Sequence, residues 1–420
     1  MAKLFKIPRS ITGEGFRQSL DIINEVLNGE IVYHKLKSGT KCFDWTIPDE
    51  WNCYDAYIIT PNGDKICDFK QNNLHIVNYS MPINTEIELA ELERHLYSIP
   101  NIPNAIPYVT SYYEKRWGFC ISHNEKIKLK NGKYKDFIDS KFNPNGSLIY
   151  GTLDIGATNP TDETILITTY LCHPQMANNE LSGPAVWVEL IKWLKNLPNR
   201  RYNYKFLINP ETIGSIAFIS QNYDYLKSNI KAGFTLSCIG DDGDYSVVLS
   251  PNENSLSDRA ALNALKFTSN NPKIYSFLNR GSDERQFNTP NLNLGISTLC
   301  RTKFGEFKQY HTSLDDLDFV TPSGLEGGIL YAKRSILNLE LNQIYSLNTT
   351  CEPNLGSRGL ISTINKGDYP IDMMNLRHFL AYCDGKNDAL KIAEKLHIPL
   401  YSLQNTIEKL IKFDLIKAVK

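Results

Sequence analysis

Along residues 13–28 (GEGFRQSLDIINEVLN) apolar side chains recur three or four positions apart, which predicts a helix with Phe16, Leu20, Ile23 and Val26 on one side. Between about 38 and 125 the pattern shortens. SGTKCFDWTIPDEWNCYDAYIITPNGDKICDF is rich in aromatic and β-branched residues and carries the turn signal PNGD, so it reads as short strands and hairpins. From about 145 the pattern changes again. TILITTYLC is an almost unbroken apolar run, as in a strand covered on both faces. SGPAVWVELIKWLKNL follows as a helix with Ser182 placed at its cap. KFLINP and GFTLSCIG read as further strands, and 215–226 and 255–268 as further helices. This alternation predicts a doubly wound α/β domain. Beyond the loop CEPNLGSRG come three helical stretches, NLRHFLAYCD, NDALKIAEKLH and SLQNTIEKLIKFDLIK, separated by breaks at Gly385 and Pro399.

The chain has 420 residues, enough for more than one domain, and its 42% hydrophobic and 22% charged content is that of a globular protein. A formal net charge of −1 supplies no global field for nucleic acid or an anionic membrane. The first residues, MAKLFKIPRSITGEG, contain no signal-peptide apolar core, and no stretch reaches the ~18 apolar residues of a membrane span. Nine cysteines are scattered without a CxxC pair, which suits reduced thiols and predicts a cytoplasmic location.

Four stretches fall where an open α/β sheet holds ligands, at or just past strand ends. They are CHP (172–174) with NNELSG (178–183), NPETIGS (209–215), CIGDDGD (238–244) and YHTSLDD (310–316). Imidazole and carboxylate together are a zinc ligand set, and a further carboxylate can serve as general base. Each element alone also has an ordinary structural role. A histidine after a strand can be a hydrogen-bonded core residue, Glu211 can open a helix, the Asp-Asp-Gly-Asp run can be a solvated turn, and Asp315 and Asp316 can be caps.

In their order, these stretches resemble the zinc-dependent aminopeptidase family, which includes bacterial leucine aminopeptidases and glutaminyl cyclases. The resemblance runs from about 145 to 345 and is most specific in RGSDERQFNTPNLNLGISTL followed by YHTSLDD. The whole chain is similar to a bacterial group of aminopeptidase-like proteins through RSITGEGFRQSL, SGTKCFDWTIPDEW, RWGFC, CHPQMANNELSG, PETIGS and RGSDERQ. The resemblance implies an α/β, doubly wound aminopeptidase-like (phosphorylase/hydrolase-like) domain over 1–37 and 126–345. It also implies a β-rich inserted domain over 38–125, a C-terminal winged helix over 346–420, and an association with surface-polysaccharide synthesis.

Carried over by position, His173 and His311 match zinc ligands, and Glu211 matches the base that takes a proton from metal-bound water. The family's bridging carboxylate falls on Asn179, its second glutamate on Thr212, and a ligating aspartate on Ser237. Neutral groups there cannot offset two divalent ions, so the expectation is one zinc. His173 and His311 would share it with a carboxylate from Glu180, Asp241 or Asp242, leaving a position for water. The function implied is zinc-assisted hydrolysis of an amide or peptide bond in a restricted, small or peptide-like substrate. The alternative is a degenerate peptidase fold that binds without turnover.

Arg280, Asp283, Arg285 and Tyr310 are candidate substrate-binding residues. The guanidinium groups could fork onto a substrate carboxylate, and Tyr310 could donate to an oxyanion. The arginines, with Arg301, could equally form structural ion pairs with Asp283, Glu284 or Glu306. The C-terminal helices have a helix-turn-helix layout and resemble a winged helix. Nine Lys plus Arg against seven Asp plus Glu over 361–420 is a thin surplus. Protein contact or homo-oligomer formation is therefore favoured over nucleic acid. The aromatic cluster Phe43, Trp45, Trp51, Tyr54 and Tyr57 fills a small core or, near the site mouth, forms a lid.

Overall fold

The computed structural model of the chain describes residues 1–360 and 371–419, so 361–370 and Lys420 of the expected winged-helix segment lie outside the described residues. Its centre is an eight-stranded sheet. The strands are β1 (Val32–Lys37), β2 (Ser147–Ile155), β3 (Thr164–Tyr170), β4 (Asn203–Asn209), β5 (Ile230–Leu236), β6 (Ser246–Val248), β7 (Lys273–Tyr275) and β8 (Ser297–Cys300). Their spatial order is β1-β2-β4-β3-β5-β8-β6-β7. The central strands β4, β3, β5 and β8 run parallel. Antiparallel pairing joins β1 to β2, β2 to β4, and β8 to β6. The strand order reverses around β3, and an open sheet leaves a crevice at the carboxyl ends there.

All seven residues of β3 are buried, as the apolar run predicts. Ile165 and Ile167 join Tyr204 and Phe206 in a core on one face. Leu166 and Leu207 point into a second core on the other. The helices are α1 (Glu14–Val26), α2 (Ser182–Lys195), α3 (Ile213–Asn229), α4 (Leu256–Lys266) and α5 (Pro322–Leu341). Side chains of α3 lie in the second core with those of the β-rich unit, while α1, α2, α4 and α5 supply the first. α2 lies close over the sheet because Gly183 has no side chain; a Cβ there would meet Leu236 O at 2.6 Å.

α1 buries Phe16, Leu20 and Ile23 as expected, but Val26 is 51% exposed and Leu27 is buried instead. At about 100° per residue, position 26 lies about 80° from Phe16 around the helix, whereas position 27 returns to within about 20°.

The β-rich unit is built on a four-stranded sheet in the order Lys65–Ile66, Glu50–Ile59, Lys133–Asn143, Ile83–Glu88. Lys133–Asn143 follows residue 125, so this sheet draws on chain beyond the expected end of the insert. The aromatic cluster divides. Trp51 is buried and stacks on Tyr79, Phe43 and Tyr54 are exposed, and Trp45 meets Tyr113 edge-on.

In the C-terminal unit, helices Ile371–Ala381, Ala389–Leu396 and Gln404–Lys412 accompany a three-stranded sheet. The third expected helical stretch stops at Lys412, and Ile416–Ala418 pairs with Ile344–Leu347 as a strand. Asp414 takes a left-handed φ of 52° at the change of direction. The unit is tied to the α/β domain. Asn263 Oδ1 accepts from Leu400 N (3.0 Å), Asn338 Oδ1 from Tyr401 N (2.9 Å), and Asn342 Oδ1 from Leu390 N (2.9 Å). Arg259 forks onto Asp388 at 2.6 and 2.8 Å.

Candidate metal and active site

The chain leaves β3 with Leu171 N still bonded to Asn209 O at 2.9 Å, and His173 follows at the carboxyl end of the sheet. The next turn, Ala177–Leu181, is a single wide turn leading into α2. Ser182 does not cap that helix. Its Oγ donates back to Asn178 O (2.5 Å), because the turn has already placed Ser182 inside the helix. Asp315 accepts from Asn178 N at 2.6 Å and Asn179 N at 2.8 Å instead, which realises the cap role weighed for it.

This turn carries Glu180 back to the histidine. Glu180 Oε2 lies 2.8 Å from His173 Nδ1, and Arg9 Nε lies 3.7 Å from Glu180 Oε1. Arg9 Nε also donates to the His173 carbonyl oxygen at 3.0 Å. Glu211, past the end of β4, has its Oε2 at 3.7 Å from His173 Nε2 and its Oε1 accepting from Ser282 Oγ at 2.8 Å. The His311 ring lies 5.3 Å from that of His173, centroid to centroid. His311 has a left-handed φ of 55°, and its carbonyl accepts from Tyr108 N at 2.9 Å. The 105–113 segment is thereby stitched to the loop that carries His311.

A cavity of about 330 Å³ opens over these groups, lined among others by Trp45, Tyr108, Tyr112, Cys172, His173, Glu211, Arg285 and His311. The β-rich unit thus supplies an aromatic wall of the cavity.

Burial dominates the electrostatics. Removal from water raises the Glu211 carboxyl to about 7, against the opposing pull of His173. Burial and the neighbouring His173 lower His311 to about 3. For His173 burial also opposes the charge, but Cys172, Tyr108 and Glu180 together hold its imidazolium well above the usual value. The Tyr310 hydroxyl is pushed up by burial and by Glu211.

Several sequence candidates lie elsewhere. Asp241 is buried and accepts from Asn178 Nδ2 (2.9 Å), Gly243 N (2.7 Å), Thr302 N (3.1 Å) and Thr302 Oγ1 (2.6 Å), so its carboxylate is occupied in holding loops. Asp242 is exposed and accepts from Ser323 Oγ at 2.7 Å. Asp283 is buried and accepts from Thr212 N (2.7 Å), Ser215 Oγ (2.6 Å) and Asn209 Nδ2 (2.9 Å), which fixes the turn carrying Glu211. Arg280 is exposed and donates to Phe277 O at 3.2 Å. Arg285 does line the cavity and donates to Thr212 Oγ1. Tyr310 stacks on His311 at 3.9 Å.

Sequence reasoning missed Cys172, Arg9 and Ser282. Cys172 stands in the CHP stretch directly beside His173, and that adjacency was the signal that could have found it. Arg9 and Ser282 lie within the RSITGEG and RGSDERQ stretches, but neither carries a signal of burial against the site.

A family model described as a domain of unknown function (DUF4910) matches residues 1–342, and a winged helix-turn-helix model matches 343–418. A Clostridium acetobutylicum protein is 41% identical over 419 residues, 99% of this chain and 95% of the relative. Its provisional name is polysaccharide biosynthesis protein with aminopeptidase-like domain. A crystal structure of a provisionally named peptidase from Clostridium acetobutylicum superposes with a TM-score of 0.91 at 39% identity, covering 100% of this chain and 94% of the other. A zinc aminopeptidase from Bacillus subtilis shares the fold, with a TM-score of 0.58 at 13% identity, covering 79% of this chain and 90% of that one.

Proposed function

The chain belongs to the DUF4910 family and has an aminopeptidase-like α/β domain and a winged helix, and from that premise we propose that it is a one-metal hydrolase of amide bonds with Glu211 as general base. The observation that supports this most directly is the approach of three distant segments. His173 and His311 have rings 5.3 Å apart, and Glu211 lies 3.7 Å from His173.

The side chains fit one ion better than two. Asn179, at the position of the family's bridging carboxylate, has its Oδ1 taken by Tyr170 OH (3.1 Å), while its buried Nδ2 has no hydrogen-bond partner among the described residues. An amide N–H repels a cation. Glu180 Oε1 faces the buried Arg9 guanidinium at 3.7 Å, which leaves Oε2, at 2.8 Å from His173 Nδ1, as the carboxylate oxygen that would take an ion. His173 and Glu180 would hold the ion, with the His311 ring beside them. Zinc, when bound, supplies a Lewis acid for an amide carbonyl. Glu211 takes the proton of the attacking water, with Ser282 holding its second oxygen in place. Tyr108, Tyr112 and Trp45 restrict the size of what enters, and Arg285 can pair with a substrate carboxylate.

The restricted cavity and the name of the Clostridium acetobutylicum relative support an amino-acid or amino-sugar conjugate as substrate, rather than peptides in general. The nine cysteines are all free, which fits a reducing compartment. We assign the winged helix to protein contact. Gln404, Ile407, Glu408, Ile411 and Lys412 of its last helix border a groove with Leu197, Pro198, Asn199 and Arg201 of the α/β domain, which supports a role in protein contact.

The test is elemental analysis of chain purified without chelator, followed by assay against amino-acid and amino-sugar amides. One equivalent of zinc and turnover abolished in Glu211→Gln support the reading. No bound metal together with no turnover would leave a binding scaffold.

A further inference from the structure

We propose that Cys172 is a ligand of the ion, its thiolate completing a set with His173 and Glu180; this rests on the one-metal reading above. Cys172 Sγ lies 3.4 Å from His173 Nδ1, and Glu180 Oε2 lies 2.8 Å from the same nitrogen. One donor atom from each of the three residues falls within 4.8 Å of the others, and all three residues are buried. A tetrahedral ion with a metal–sulfur distance of ~2.3 Å and a metal–nitrogen distance of ~2.0 Å separates the two ligands by roughly 3.5 Å. The sulfur and nitrogen already stand at nearly that spacing.

Two further observations bear on the set. Glu180 Oε1, fully buried, faces the Arg9 guanidinium at 3.7 Å, which leaves Oε2, at 2.8 Å from His173 Nδ1, as the oxygen turned to the ion. The Glu211 N–H donates to Cys172 Sγ at 3.3 Å, so the sulfur already serves as an acceptor, although burial raises its thiol to about 11 without a cation bound. Charge leads to the same assignment. A divalent ion and the buried Arg9 guanidinium bring three positive charges, which buried surroundings must balance. Asn179, Thr212 and Ser237 contribute none. The carboxylates of Glu180 and Glu211 contribute two negative charges, and a Cys172 thiolate supplies the third.

On binding, the Cys172 S–H bond breaks as the sulfur–metal bond forms, and the thiol proton leaves to solvent. The Nδ1 proton between His173 and Glu180 leaves in the same way. A thiolate in the set favours zinc or cobalt over magnesium or calcium.

The experiment adds cobalt(II) alone to the metal-free full chain and records the absorption spectrum. A near-ultraviolet thiolate-to-cobalt band is expected in the wild type and in Cys238→Ser, whose sulfur is the control. Cys172→Ser is expected to lose the band and bind cobalt at least about ten-fold more weakly. Cobalt bound one-to-one without the band, or with the band intact in Cys172→Ser, overturns the sulfur ligand while leaving the hydrolase reading standing. No binding of cobalt or zinc by the wild type overturns both. X-ray absorption of the zinc-loaded wild type tests the same ligand without a variant: a sulfur neighbour supports the proposal and a shell of nitrogen and oxygen alone overturns it.

Discussion

Arg9 Nε stands 3.7 Å from Glu180 Oε1, and neither side chain has any exposure to solvent. A residue near the start of the chain thus neutralises the carboxylate that holds His173. Removing one partner of such a pair strands a charge in a medium that cannot solvate it. Arg9→Met is therefore expected to lower stability by about 3–5 kcal/mol. The double variant with Glu180→Gln should lose less than the two single variants added together. Urea unfolding of the four proteins measures this, and additive losses would show the pair to be uncoupled.

Asp315 is expected to act on the same loop from the other side. Its carboxylate accepts both the Asn178 and Asn179 N–H groups, so Asp315→Ala leaves two buried donors unpaired, at roughly 1–3 kcal/mol each. Faster amide exchange at residues 178 and 179 would mark the effect as local. Unchanged protection there would rule out the capping role.

Asp136 makes a pH-dependent prediction. It is buried in the β-rich unit, both its oxygens lack hydrogen-bond partners among the described residues, and burial raises it to about 7. Between about pH 4, where the unfolded chain releases this proton, and about 7, the folded chain holds more protons. Stability from this group therefore falls as pH rises across that window. Asp136→Asn removes the dependence. Its melting temperature should exceed that of wild type near pH 8, and the gap should close near pH 4.

For Glu211, which burial raises to about 7 against the pull of His173 and Arg285, the active form is the carboxylate. Turnover should therefore fall as pH drops through its pKa, and a bound cation moves that limb to lower pH. Glu211→Gln is expected to cost about 10²–10⁴ in kcat and to lack the acidic limb, while keeping its metal. A pH–rate profile with the same limb in the variant would assign the base elsewhere.

The C-terminal unit should be fixed rather than tethered. Arg259 and Asp388 form a two-pronged ion pair, and Asn338 bridges the backbones of Ala260 and Tyr401. Asn338→Ala with Arg259→Ala is expected to raise hydrogen exchange across 389–412 and to expose the connection near residue 343 to protease. Equal exchange in the two proteins would mean that apolar packing alone holds the unit.

The amino-acid sequence by itself determined the periodic elements. The apolar run of β3, the stripe on α1 and the alternation that follows are local patterns, and burial followed them closely. The CHP and PETIGS stretches follow the ends of β3 and β4, where an open sheet places its ligands, whereas YHTSLDD lies in the long loop between β8 and α5. Where a helix ended or a strand began was less legible. Val26 fell off its stripe because it lies about 80° round the helix from Phe16, and the chain turned into a strand past Asp414 because that single residue takes a left-handed φ. Only the tertiary structure decided which carboxylates reach His173. Asp241 and Glu180 are equally acidic in a sequence, yet one is spent holding Thr302 and Asn178 while the other is carried back by the wide turn onto Nδ1. The same holds for Arg9 and Cys172. Their charge and sulfur acquire meaning only when long-range packing removes water and sets them beside one imidazole.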